Sequence, residues 1–321
     1  MAGGSDAGCW GKFLAGSAGG VRFKEIGGKL IVLFAIFLNG LLYGGTYALL
    51  AVGFALVFGV AKIVNMAHTG FYMMSAYLIF IGVSILGYPL IVAALLTVVG
   101  AGLIGVIAYR LFLDRIKEHE TAVMIVSVGL ALLIQELLLL FFGGHYKAIP
   151  PFIHGFITIS DQQVSYQSIL AIVVSAVALF VVWFLLSKTM LGIAIRAAAE
   201  DREAASLMGF NVGRISMIIM GISVVLAAVA SSVAASIFTI FPTMWLHPLV
   251  IVLAAVILGG LGSIKGSVIG ALILGFAESI VVLTVPKGGY LGGVVSLCIM
   301  IVILMIRPEG LFGISFEEER L

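Results

Sequence analysis

Hydrophobic residues run along this chain in long blocks that charges rarely interrupt. Over residues 30–113 only Lys62 and Arg110 are charged, and over 122–187 only Glu136, Lys147 and Asp161. Over residues 215–306 the charges are Lys265, Glu278 and Lys287. Charged islands at residues 110–120 and 188–214 separate these blocks. A bilayer core of about 30 Å takes roughly 20 apolar helical residues per crossing. The blocks lack the period-two alternation of barrel strands, and backbone in lipid must satisfy its own polar groups, so the pattern predicts helices.

Spans are expected over residues 69–86, 89–113, 122–142, 168–187, 215–241, 249–261, 267–285 and 288–306. Residues 30–64 are long enough for two short crossings, or one crossing plus a half-helix. Gly87-Tyr88-Pro89 and Phe241-Pro242 mark turns. The expectation is an all-α, polytopic membrane bundle of about eight to ten crossings. Alternating the spans puts Lys62, Arg110, Arg115, Lys117, Lys188, Arg196, Arg202, Arg214, Lys265 and Arg307 on one side. Lys147 and Lys287 fall on the other side, so the first is expected to be cytoplasmic. The head, with Arg22, Lys24 and Lys29, joins that side if residues 30–64 cross twice. Residues 143–167 form one long outside loop, and the stretch from Phe156 to Tyr166 reads as a small β-hairpin. It is either an ordinary connector or a docking surface.

Composition agrees on the solvent. Of 321 residues, 62% are hydrophobic and 10% are charged, so 17 basic and 15 acidic side chains cannot coat a water-soluble fold. The mean hydropathy of +1.27 points the same way. An ordinary cytosolic enzyme, a disordered scaffold and a disulfide-stapled secreted domain are excluded. A net charge of +2 gives no sign of a nucleic-acid partner. Cys9 and Cys298 make no paired framework or metal-ligand spacing, and no metal or cofactor is expected. The Gly-rich head, residues 1–29, lacks the features of a signal peptide and reads as a loosely ordered tail with an amphipathic piece at Trp10–Leu14. Residues 30–313 form the membrane domain, and residues 314–321 form a short polar tail.

The island at 188–214 is the most unusual segment. Its alanines favour helix, and Asp201 can cap a second short helix whose first turn holds Glu203. Gly209 and Asn211 read as stop signals. Ala204, Ala205, Leu207 and Met208 give that helix an apolar side suited to a partner's groove, against the plainer reading of a solvated connector.

Glycines suggest close helix packing. Gly262 and Gly266, then Gly266 and Gly270, share a helical face, as do Gly40 and Gly44; Ser223, Ala227, Ala230 and Ala234 form a similar stripe. The interruption from Gly259 through Gly260 to Gly266, with Lys265, also has the look of a broken helix beside a pathway. Gly260 to Lys265 imitates a phosphate-binding loop, but Ile264 precedes the lysine and Gly266 follows it, so it is a decoy. Glu136 and Glu278 lie within apolar spans, where an acid costs roughly 2.5–3.5 kcal/mol at the centre. Each is expected to face protein or water, or to reach the headgroups. Asn39, Thr46, Asn65, His68 and Tyr72 cluster where the first span breaks. His68 either contacts a solute or stabilises that break by a hydrogen bond.

Several stretches carry a resemblance. Glu200-Asp201 followed by Ala204-Ala205-Ser206-Leu207-Met208-Gly209 resembles the coupling loop of ATP-binding-cassette importer permeases. Asn39-Gly40 through Thr46-Tyr47-Ala48-Leu49 to Gly53 is similar to the opening span of the branched-chain amino acid permease family, whose subunits are called LivH and LivM. Ile63-Val64-Asn65-Met66-Ala67-His68 resembles its Asn-x-Ala-His-Gly motif, with Thr69 intervening before Gly70. Gly259 through Gly266 to Gly275, with Glu278, and the ending Arg307-Pro308-Glu309-Gly310-Leu311-Phe312-Gly313 also fit. The likeness covers about residues 31–313 and does not name the solute.

The resemblance implies a type II-like permease with broken helices that binds no nucleotide. Its implied partners are a second permease subunit, two cytoplasmic ATP-binding subunits and an extracytoplasmic substrate-binding protein. Such a subunit carries branched-chain or other hydrophobic amino acids by alternating access, or, within the same family, urea and short amides. A proton-coupled secondary transporter using Glu136 or Glu278 is the competing class. An intramembrane enzyme would need a catalytic dyad or metal cluster, and none is legible.

Overall fold

The computed structural model describes the backbone of residues 10–312, apart from residues 118, 160–161, 286–287, 289–290 and 308–309; side chains of 10–31 and 157–163 are likewise outside the description. Eleven helices are described: α1 (Trp10–Ala61), α2 (His68–Phe80), α3 (Leu90–Ala108), α4 (Glu120–Phe142), α5 (Tyr166–Lys188), α6 (Met190–Glu200), α7 (Arg202–Leu207), α8 (Val212–Ala234), α9 (Leu246–Gly259), α10 (Ile264–Thr284) and α11 (Gly292–Ile306). Wider π turns extend α2 through Ile85 and α3 through Leu113. Seven segments are long and apolar enough to cross a bilayer, and α9 and α11 are shorter apolar helices. The bundle is therefore all-α and polytopic, with seven such segments among the described residues against the eight to ten crossings expected.

Two expectations about the spans are corrected. Residues 30–64 do not cross twice. A single helix runs through them, with one apolar span over Val32–Ala61. Gly40 and Gly44 pack this helix closely on α10: a Cβ on Gly40 would meet the Phe276 ring, and one on Gly44 would meet Leu272. The backbone is already helical from Trp10, and the proposed amphipathic piece lies outside the described side chains. The span expected over 215–241 ends instead at Ala234. A non-helical connector, residues 235–245, follows it and contains Pro242, which has no N–H to continue a helix.

Contacts along α1 give its direction. Gly59 lies beside Gly262 at the start of α10, and Ser279 near the far end of α10 donates to the Ile36 carbonyl (2.9 Å). The two helices are antiparallel. One end of the bundle gathers the end of α1, the start of α10 and the α6–α7 pair, and is called the basic face below. The other end carries the hairpin β1 (Phe156–Ile159) and β2 (Gln162–Ser165), antiparallel with Phe156 opposite Ser165. The core follows α1, whose span is 83% buried, whereas α5 is 22% buried and turns mostly outward. Exposed Val177, Phe180, Val181 and Phe184 on α5 suit a lipid solvent.

Glycine lets the late helices touch backbone to backbone. Gly259 and Gly266 meet directly, Gly270 meets the backbone of Ala255, and Gly275 meets that of Gly44. The turn between α9 and α10 needs positive φ at Gly260 (98°) and Gly262 (85°), a region that side chains resist. Tight packing and a turn at the bundle's end thus account for Gly259, Gly260, Gly262, Gly266 and Gly270. The Leu311 N–H reaches the Leu258 carbonyl (2.8 Å) and the Phe312 N–H reaches Gly259 (3.1 Å), which caps α9.

Candidate functional site

The chain breaks after Ala61. Lys62 takes a left-handed conformation (φ 55°), and residues 62–67 run back into the bundle before α2 begins at His68. Polar side chains satisfy this irregular backbone. Asn65 Oδ1 accepts from the Ala67 N–H (3.1 Å), while its Nδ2 points to Met220 Sδ (3.4 Å). Ser127 Oγ accepts from Met66 N–H (3.0 Å) and donates to the Met124 carbonyl (2.8 Å). His68, 1% exposed, has Nε2 3.0 Å from the Leu50 carbonyl and Nδ1 3.0 Å from Ser223 Oγ. A carbonyl only accepts, so Nε2 carries the proton and Nδ1 accepts from Ser223. Gly53 makes room, since a Cβ there would sit 2.8 Å from His68 Cε1. Both ring nitrogens are thus committed to α1 and α8, and the structure favours the stabilising reading of His68.

A second polar cluster lies toward the hairpin end. There α1 contributes Tyr43, Thr46 and Tyr47, α2 contributes Tyr72, and α10 contributes Glu278 to a cavity of about 390 Å³. Phe238 and Phe241 from the connector, with His247 and Pro248 from α9, complete its wall. The volume suits a small solute, and the lining combines apolar walls with a few polar points. Tyr43 stacks on Tyr47 (6.3 Å) and on Phe238 (5.7 Å). The Glu278 side chain is 5% exposed, and Oε1 lies 3.6 Å from Nε2 of the half-exposed His247. The Tyr47 hydroxyl is placed to donate to the carboxylate, yet Oε2 accepts no hydrogen bond among the described residues.

The residues expected along a pathway therefore separate. Thr46, Tyr72 and Glu278 meet in this cavity. Asn65 and His68 hold the break. Asn39 is half-buried and donates to the Ala35 carbonyl one turn back (2.9 Å). Glu136 is exposed on α4 and accepts from Gln135 Nε2 (3.2 Å), while Gln135 Oε1 accepts from the Trp245 indole (2.7 Å). It is not part of the cavity. Tyr43, Tyr47, Phe238 and His247 are cavity residues that sequence reasoning missed. The spacing of Tyr43, Thr46 and Tyr47 at i, i+3 and i+4 is a legible one-face signal; Phe238 and His247 carry none. Among the described residues no three His, Cys, Asp or Glu side chains group together.

At the basic face two short helices meet at Asp201, whose Oδ1 accepts from the N–H groups of Glu203 (2.8 Å) and Ala204 (3.0 Å). Thr189 caps α6 by accepting from Gly192 N–H (3.1 Å), and Arg196 reaches the Leu186 carbonyl. Leu207 (89% exposed) and Met208 (81%) form the tip, with Gly209 left-handed behind them (φ 89°). Ala204 is exposed, but Ala205 is buried and cannot belong to the outward apolar side. Asn211 starts a helix rather than stopping one: its Oδ1 accepts from Arg214 N–H (2.9 Å) at the head of α8. Arg202 donates to the carbonyl of Ala61 (3.3 Å), the last residue of α1. Glu200, Arg196 and Lys265 rim a larger apolar cleft of about 790 Å³ between α1, α5 and α10.

Known proteins share this pattern. PsaBC from Streptococcus pneumoniae, solved with a Fab, matches the fold with a TM-score of 0.51 at 14% identity, covering 85% of this chain and 92% of that one. The Pseudomonas aeruginosa high-affinity branched-chain amino acid transport system permease protein BraD is 30% identical over 86% of this chain and 94% of its own length. LivH of Salmonella typhimurium is 30% identical with the same coverage, and the probable LivH of Methanocaldococcus jannaschii is 30% identical over 92% of this chain and 96% of its own. Residues 36–304 match the family described as branched-chain amino acid transport system, permease component. The broken α1–α2 pair, the exposed α6–α7 tip and the glycine-packed late helices are thus those of a transport subunit, and the chain belongs to the branched-chain amino acid permease family.

Proposed function

We propose that this chain is the membrane subunit of an ATP-driven importer for branched-chain or similar hydrophobic amino acids. The basic face is cytoplasmic, by the excess of Lys and Arg in its short loops. One of two ATP-binding subunits docks on the α6–α7 tip, a second permease subunit completes the membrane unit and carries the other, and a binding protein delivers solute at the hairpin face of a prokaryotic plasma membrane. Nucleotide-driven movement of the tip changes how α1 and α8 pack, so that the cavity opens to one side at a time. The observation that carries this reading is the tip itself. Leu207 and Met208 are almost fully exposed to water on a helix whose start is capped and whose inner side is buried. An exposed apolar pair on an ordered helix is what a partner's groove takes.

The experiment is co-purification of the ATP-binding subunits from the native host. Leu207→Asp combined with Met208→Asp is expected to reduce their recovery about tenfold or more, while the chain still inserts and stays monodisperse. Full recovery with the double variant, or solute uptake that survives ATP depletion, overturns the reading.

A further inference from the structure

Glu278 is out of place by ordinary membrane energetics. A carboxylate in a span costs roughly 2.5–3.5 kcal/mol at the centre, and such groups are normally paired with a charge or donor. Here the residue is 4% exposed, and Oε2 is left with no hydrogen bond among the described residues. His247 stands 3.6 Å from the other oxygen, beyond hydrogen-bond range, at the cavity mouth. Gly292 at the start of α11 leaves room for the acid, since a Cβ there would lie 2.6 Å from Oε1. The unpaired oxygen belongs to a side chain that lines the same cavity as Tyr43, Tyr47 and Tyr72. An acid and three phenol rings around one space attract an organic cation, by charge and by the negative faces of the rings.

We propose that Glu278 binds the ammonium group of the transported solute, with the three tyrosines around that cation. The apolar chain then lies toward Phe238 and Phe241, and the cavity selects for a primary ammonium rather than for a carboxylate. This rests on the importer reading above and adds a residue and a charge rule to it. The site favours an aliphatic amine over the matching acid, so recognition of the ammonium group can be separated from recognition of the whole amino acid.

The test uses the full chain in lipid nanodiscs and saturation-transfer NMR with three probes. These are leucine, isoamylamine (no carboxylate) and 4-methylvalerate (no ammonium). The wild type is expected to show transfer to leucine and isoamylamine and little to 4-methylvalerate. Glu278→Gln, which keeps the shape and loses the charge, is expected to weaken both amine-bearing probes about tenfold. Co-purification of the ATP-binding subunits with Glu278→Gln verifies that the variant is folded; a second variant, Glu278→Asp, which keeps the charge, is expected to retain part of the binding. Equal transfer to 4-methylvalerate and leucine, unchanged binding in Glu278→Gln, or no transfer to any probe in the wild type overturns the proposal. If ATP-driven leucine uptake persists alongside any of those results, the importer reading stands and only the ammonium site fails.

Discussion

His68 shows how one side chain settles a local structure. It is buried, it joins the Leu50 carbonyl to Ser223, and its ring fills the space that Gly53 leaves. His68→Ala removes both hydrogen bonds and leaves a void at the break. The expected loss is about 1–3 kcal/mol, read as a lower thermal unfolding midpoint of the purified chain, with leucine transfer in the NMR experiment unchanged. A weakened leucine signal at unchanged stability would place His68 in the pathway instead. Among single residues, Thr46, Tyr72 and Glu278 were legible because a polar group in an apolar run stands out. Phe238 and His247 were not, because aromatic residues are common in spans and the cavity gathers positions far apart in the chain. Glu136 stood out equally in the sequence, yet it faces outward beside Gln135.

Packing between elements depends on where the backbones meet. Gly275 lies against the backbone of Gly44, while Gly129 on α4 has open space where a Cβ would go. Gly275→Ala is expected to cost about 1–3 kcal/mol by overpacking the α1–α10 contact. Gly129→Ala, in an exposed helix interior, is expected to be neutral or to gain up to about 1 kcal/mol from helix propensity. Thermal unfolding in detergent compares the two, and equal effects would mean that the α1–α10 contact is looser than described. The hairpin and the capped α6–α7 pair were legible because turn residues and caps act locally. The single span of α1 was not, because residues 30–64 are long enough for two short crossings and length alone does not choose between them. The end of α8 was equally hidden, since Ala235 to Phe241 is as apolar as the helix before it.

At the scale of the whole molecule, alternating spans put the α6–α7 tip and the hairpin on opposite sides. Replacing Cys9 and Cys298 and then introducing Tyr146→Cys or Glu203→Cys gives single labelling sites near each end. Tyr146 is 73% exposed near the hairpin end, and Glu203 is exposed on α7. A membrane-impermeant maleimide is expected to label the Tyr146→Cys variant in intact cells and the Glu203→Cys variant only after lysis. The reverse pattern would invert the orientation and remove the ATP-binding subunits from the tip.

The continuity of α1 sets the geometry of any motion between those ends. Arg202 grips Ala61, and Tyr47 faces the solute cavity on the same uninterrupted helix. At about 1.5 Å per residue the two points are roughly 21 Å apart. Tilting a stiff rod of that length by about 5° displaces the phenol by about 2 Å, as wide as the difference between a contact and a gap. If the chain works as the importer proposed above, the break after Ala61 lets the rod's end move without unravelling it, and a small rocking at the water's edge would change the fit deep in the bilayer.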